Sequence, residues 1–274
     1  ATLTIKEAAF YNCNDITEIT LPSHLNTLEK NAFGSCDDLK TVNVESFSRD
    51  SEANLAFSNG AFADKPGKKT ANNADLLAAW TAKYFVQTVN IGKQTGYINI
   101  KGVFGNLVDN VTVDPENNSY ISENGVLYGK GESGNKESLL FYPSSKSNTE
   151  FTVPDGVKEI ADGVFAGNLI LEKVTISSTV TRIGTNAFAR ASVDTIVFAG
   201  VNDALAEDSS NALEICDNAF MDCKKLGTLE LPLRTVKIGA SAFYSSLGIL
   251  SNKLAEIVIP ANVTEIGDKA FMGS

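Results

Sequence analysis

One spacing pattern constrains this chain more than any other feature: a phenylalanine, most often preceded by alanine, returns along almost its whole length. It stands at Phe10, Phe33, Phe62, Phe104, Phe165, Phe188, Phe220, Phe243 and Phe271. Three of the intervals are 23 residues and the others run from 28 to 61, so insertions into one base period account for them. Five residues before the Phe lies an apolar side chain in eight of the nine units: Ile5, Leu28, Phe57, Ile160, Ile183, Ile215, Ile238 and Ile266. The Phe104 unit has Asn99 there, which predicts a local bulge. A period of this size marks stacked repeats, none of which can bury its own apolar face alone.

A second signature, L-x-x-V-x-I in generic form, lies between the phenylalanines. It reads Ile16/Ile19/Leu21, Leu39/Val42/Val44, Val86/Val89/Ile91 and Val108/Val111/Val113 in the first half. In the second it reads Leu171/Val174/Ile176, Val193/Ile196/Phe198, Leu226/Leu229/Leu231 and Leu254/Ile257/Ile259. The last two apolar residues of each copy are two apart, so they share one face of an extended strand. Stacking the coils yields a parallel sheet over a column of Ile, Leu and Phe. Proline ends the strand at Pro22, Pro154, Pro232 and Pro260, and glycine follows the isoleucine at Gly184, Gly239 and Gly267, where a tight corner is expected.

The pattern, as in "VTRIGTNAFARASVDTIVF" (180–198) and "LEICDNAFMDCKKLGTLELP" (213–232), resembles the BspA-type leucine-rich repeat of Bacteroides-like and spirochaete surface proteins. The expected fold is a leucine-rich-repeat solenoid: right-handed, β-dominated and horseshoe-like, with about nine coils and β-hairpin and helical inserts, spanning residues 1–274 as one domain. The resemblance implies a secreted or cell-surface protein that binds host or microbial proteins. The sequence lacks the ladder of Asn that better-known horseshoes place three residues past the strand; His24, Phe47, Gln94, Glu116, Thr179, Val201, Arg234 and Asn262 stand there. Helix-backed curvature is therefore not expected.

Three inserts break the period. Residues 45–85 read as a loop followed by a short helix, with Asn72 or Asn73 as N-cap and Leu76, Leu77, Trp80 and Tyr84 on one face. Residues 114–151 read as a β-hairpin insert turning at Asn124-Gly125. Residues 200–212 form an acidic loop, whose Asp203, Glu207 and Asp208 match no calcium-loop spacing.

The net charge of −10 argues against nucleic-acid and anionic-lipid partners, and no apolar run reaches the roughly 20 residues of a membrane span. No signal peptide is visible, and both ends fall inside a repeat, which suggests a fragment of a longer array or ends covered by self-association. Cys13, Cys36 and Cys223 each follow a repeat Phe by three residues and read as small buried hydrophobes; a Cys13–Cys36 disulfide is conceivable but would need converging side chains. His24 reads as an exposed turn residue. Gly129, Gly131 and Gly134 spell G-x-G-x-x-G, but the chain continues into "LLFYP" rather than a helix, so a hairpin loop is expected instead of a nucleotide site. No cofactor, metal or catalytic constellation is legible, and the chain is expected to be no enzyme.

The remaining candidate is the sheet face. Residues before and between the strand apolars point outward: Glu18, Thr20, Thr41, Asn43, Thr88, Asn90, Asn110, Thr112, Lys173, Thr175, Thr195, Thr228, Glu230 and Glu256, with Val197 and Val258 completing the array. Solenoids bind on such faces. A protein partner in adhesion is the first reading, a carbohydrate-associated surface role the second, and a hydrolase built from the inserts the third. The array has no aromatic platforms for sugar rings, which favours protein contact.

Overall fold

The computed structural model describes residues 3–45, 56–57, 62, 86–96, 98, 108–245, 254 and 256–274. Most of the 45–85 insert, including its expected helix, lies outside these residues, as do Asn99 and Phe104. The described residues wind as a β-solenoid of about eight coils. They belong to two compact units, Ala1–Leu127 and Tyr128–Ser274.

Among the described residues most coils contribute two short strands, one to each of two stacks of parallel strands. In the first unit, Glu18–Leu21, Thr41–Val44, Thr88–Ile91 and Asn110–Val113 form a four-stranded parallel sheet. Leu3–Ile5, Leu25–Leu28 and Ala56–Phe57 form a second, also parallel. In the second unit, Glu150–Thr152, Lys173–Ile176 and Thr195–Phe198 make one sheet, and Thr228–Glu230 pairs with Glu256–Val258. A longer sheet runs through Lys136–Phe141, Glu159–Ile160, Arg182–Ile183, Leu213–Ile215, Thr235–Ile238 and Glu265–Ile266. A sheet, and no helix among the described residues, therefore backs the first sheet in each unit. Val42, Val44, Val89, Ile91, Val174 and Ile176 are all buried, as a period of two requires.

The phenylalanines form single files. Phe10, Phe33 and Phe62 stack at 4.8 and 5.1 Å in the first unit. In the second, Phe165, Phe188, Phe220, Phe243 and Phe271 stack at 4.7, 5.0, 5.1 and 5.2 Å. Tyr142, 23 residues before Phe165, heads this second file with its ring 5.3 Å away. It occupies the place of a repeat Phe within the longest interval.

Left-handed residues stand two places before and two places after the Phe in most of the described coils. At the second position before it stand Ala8 (φ 57), Asn31 (φ 53), Asn186 (φ 56), Asn218 (φ 56), Ser241 (φ 54) and Lys269 (φ 58). At the second position after it stand Asn12, Ser35, Arg190 and Asp222, all with φ between 54 and 62. This double bend turns the Phe N–H toward the next coil, where it donates to the carbonyl of Ala32, Ala187, Ala219, Ala242 or Ala270 at 2.7 Å. The residue before the Phe is buried in most described coils, as Ala32, Val164, Ala187, Ala219, Ala242 and Ala270. A β-carbon in the left-handed region is strained. Lys269→Gly is therefore expected to stabilise the protein by about 1 kcal/mol, read from the urea midpoint.

The cysteines do more than fill space. Cys36 Sγ donates to the Phe10 carbonyl and Cys223 Sγ to the Phe188 carbonyl, each at 3.0 Å, and Ser274 Oγ donates to Phe243 O at 2.9 Å. All four cysteines are free thiols, Cys13 and Cys36 included. Burial pushes the Cys223 thiol up to about 12. Its folded pKa lies above the unfolded value, so the stabilisation is complete below about pH 8.5 and is lost as pH climbs toward 12. Between pH 8 and 10 the wild type should lose about 1–2 kcal/mol more than Cys223→Ala in parallel urea titrations.

The hairpin expected in the second insert is present. Asn124 (φ 51) and Gly125 (φ 77) make the tight turn between Tyr120–Glu123 and Val126–Lys130. The G-x-G-x-x-G stretch is also a hairpin loop, with Gly131 N donating to Asn135 O at 3.0 Å between neighbouring strands of one sheet.

Candidate binding face

Parallel pairing without register shift brings eight of the predicted face residues into two columns in the first unit. Glu18, Thr41, Thr88 and Asn110 lie side by side, as do Thr20, Asn43, Asn90 and Thr112. None of the eight is buried. The second column is joined by its own side chains. Asn43 Nδ2 donates to Glu18 Oε1 at 2.7 Å and to Thr20 Oγ1 at 3.3 Å. Asn90 Nδ2 donates to Asn43 Oδ1 at 2.7 Å, and Thr112 Oγ1 donates to Asn90 Oδ1 at 2.5 Å. An amide-hydroxyl ladder thus runs across four rungs. Past the ends of these strands an open depression of about 480 Å³ is lined by Ser23, Glu45, Gly92, Lys93, Gln94 and Asp114.

The second unit presents a different face. Lys173 lies between Glu150 and Thr195, with Nζ 3.3 Å from Glu150 Oε2. Thr175 lies between Thr152 and the exposed Val197. Thr228 pairs in register with Glu256, and Glu230 with the exposed Val258. Ion pairs and scattered valines replace the neutral ladder.

On the longer sheet of this unit, Glu159, Arg182, Glu214, Lys237 and Glu265 stand in register, charges alternating rung by rung. Arg182 reaches Glu159 at 2.5 Å and Asp162 at 2.9 Å, and Lys237 reaches Glu265 at 3.0 Å. Partial burial works against the Arg182 charge, but the Asp162 hydrogen bond and surrounding carboxylates outweigh it and raise the pKa. Among the described residues no group of three or more His, Cys, Asp and Glu side chains could hold a metal ion, and no helix is long and apolar enough to cross a membrane.

The sequence matches the BspA type leucine rich repeat region in six copies, over residues 1–64 and 137–274. The chain belongs to the BspA-type leucine-rich-repeat family. No curated protein matches it. Its fold is similar to that of a leucine rich cell surface protein from Faecalibacterium prausnitzii, at 20% identity and a TM-score of 0.59, covering 97% of this chain and 59% of that one. It is also similar to the pneumococcal vaccine antigen PcpA, at 22% identity and a TM-score of 0.60, covering 94% and 56%. A leucine-rich repeat protein from Eubacterium ventriosum is 23% identical with a TM-score of 0.50, covering 99% and 80%. The chain thus spans less than three fifths of the first two neighbours.

In this BspA-type chain some of the residues in the slot past the strand bond carbonyls of neighbouring coils. Three places past the last apolar residue of the L-x-x-V-x-I pattern, Thr179 Oγ1 donates to Val157 O at 2.9 Å and Asn262 Nδ2 to Leu233 O at 2.8 Å. Val201 occupies the slot between and has no side-chain donor. Arg234, in the next coil, reaches past it to the Val180 carbonyl at 2.7 Å and also bonds Asn211 O at 2.9 Å. Sequence reasoning named the slot and missed this role, which only an inserted loop with a long donor behind it could have signalled.

Proposed function

We propose that this BspA-type chain is a non-enzymatic module of a bacterial surface protein that holds a protein partner on the sheet face of its coils, in adhesion. The observation that carries the reading is the bonded ladder Thr20–Asn43–Asn90–Thr112 beside the Glu18–Thr41–Thr88–Asn110 column. Its side chains are ordered by one another before any partner arrives, so little rotamer entropy is lost on binding. The face is wide, polar and free of aromatic rings, which suits a protein surface better than the face of a sugar.

Capture of extracellular-matrix and microbial-surface proteins, repeated with Thr88→Arg and Asn90→Arg, tests the proposal. Both variants should fold as the wild type does and lose the captured partner by tenfold or more. Partners retained by both variants, but lost on substitution in the 131–135 hairpin loop, would move the contact away from the sheet face.

A further inference from the structure

The depression past the strand ends of the first unit owes its shape to a missing side chain. Glu45, Gly92 and Asp114 directly follow the strands Thr41–Val44, Thr88–Ile91 and Asn110–Val113. Gly92 N bonds Val44 O at 2.7 Å and Asp114 N bonds Ile91 O at 2.8 Å, so the three stand on successive rungs. The middle one must be glycine, since a β-carbon there would lie 1.7 Å from the Glu45 carbonyl oxygen. The floor is therefore bare backbone, with an acidic residue one rung to either side. Two rung spacings set Glu45 and Asp114 roughly 10 Å apart, a gap that a planar guanidinium with donors on opposite edges spans.

Charge at this place is unbalanced. Glu45 and Asp114 are exposed and enter no ion pair among the described residues. Asp114 Oδ1 accepts from Glu116 N at 2.8 Å, which fixes the carboxylate and leaves its charge in place. Lys93, the cation among the lining residues, is held by Glu116 at 2.5 Å. On the face itself Glu18 meets only the neutral amide of Asn43, whereas in the second unit Lys173 answers Glu150.

We infer that the partner held on the first unit's face presents a basic segment, with one arginine side chain seated in the depression between Glu45 and Asp114. The inference rests on the sheet-face reading and names the chemistry of the partner. Carboxylates on both sides bind a guanidinium through charge-assisted hydrogen bonds, and the side-chain-free floor lets its flat face lie down. A lysine would satisfy one carboxylate at a time. The adjoining ladder of amides and hydroxyls offers donors and acceptors to the peptide groups that flank the arginine.

The probe is N-acetyl-arginine amide, with its uncharged citrulline counterpart beside it, titrated into the isotope-labelled full chain and read by amide chemical shifts. The arginine probe should shift Gly92 and Gln94 in a saturable manner, and the citrulline probe should not. Glu45→Gln with Asp114→Asn should weaken the titration roughly fivefold or more. The asparagine keeps the oxygen that accepts from Glu116 N, so the turn survives. Removing the same charge by Glu172→Gln with Glu207→Gln, exposed residues of the second unit, should change it by less than about twofold. Shifts spread evenly over the acidic surface, or equal effects of the two double variants, would overturn the site as general attraction to an acidic protein. The face reading fails separately. Capture lost through Thr88→Arg but indifferent to Glu45→Gln with Asp114→Asn would overturn the depression and keep the face. Capture untouched by Thr88→Arg and Asn90→Arg, beside a specific arginine titration, would sink the face and keep the depression.

Discussion

Replacing Phe188 by alanine should cost about 3–5 kcal/mol, read as a fall in the urea midpoint at unchanged m-value. The ring is 0% exposed and lies between Phe165 at 4.7 Å and Phe220 at 5.0 Å, nearly parallel to both. Removing it opens a gap that neither neighbour can fill, because each backbone is fixed by its Phe N–H bond to the next coil. Phe10→Ala is the internal control. Phe10 is 40% exposed and stacks on Phe33 alone among the described residues, so its loss should stay below about 2 kcal/mol. Equal losses at the two positions would show that stacking within the file contributes little.

The file was legible in the sequence because its spacing is its geometry: a residue returning once per coil must stack on its predecessor. Tyr142 escaped that reasoning because it lacks the Ala-Phe pair and sits inside an interval of 61 residues. The left-handed positions were only half visible. Asn186 and Asn218 suit positive φ, whereas Lys269 and Arg190 give no hint of it. Outward positions of the strands followed from a period of two, and all those described are at least partly exposed. The bonds between their side chains were out of reach, since Asn43 and Asn90 meet across a 47-residue separation that contains an insert. Register across such a gap is decided by which coil stacks on which, a tertiary fact. The same holds for Arg234, whose partner Val180 lies 54 residues back.

The alternating charges did have a local signal, a charged residue directly before the isoleucine at Glu159, Arg182, Glu214, Lys237 and Glu265. Their meaning depends on register, and it yields the second large expected effect. Arg182→Glu would set a carboxylate between Glu159 and Glu214 on adjacent rungs, with Asp162 close by. Two ion pairs vanish and like charges face each other directly across parallel strands. Each exposed pair contributes little alone, so about 2 kcal/mol is expected in low salt from their sum and the added repulsion. Because the groups are half exposed, 1 M sodium chloride should reduce that loss by half or more. Arg182→Met separates the two components: it removes the ion pairs without adding repulsion and should cost no more than about 1 kcal/mol. If Arg182→Glu and Arg182→Met proved equally destabilising at low salt, the alternation would be a by-product of strand composition, and the longer sheet would owe its register to the buried Ile160, Ile183, Ile215 and Ile238 alone.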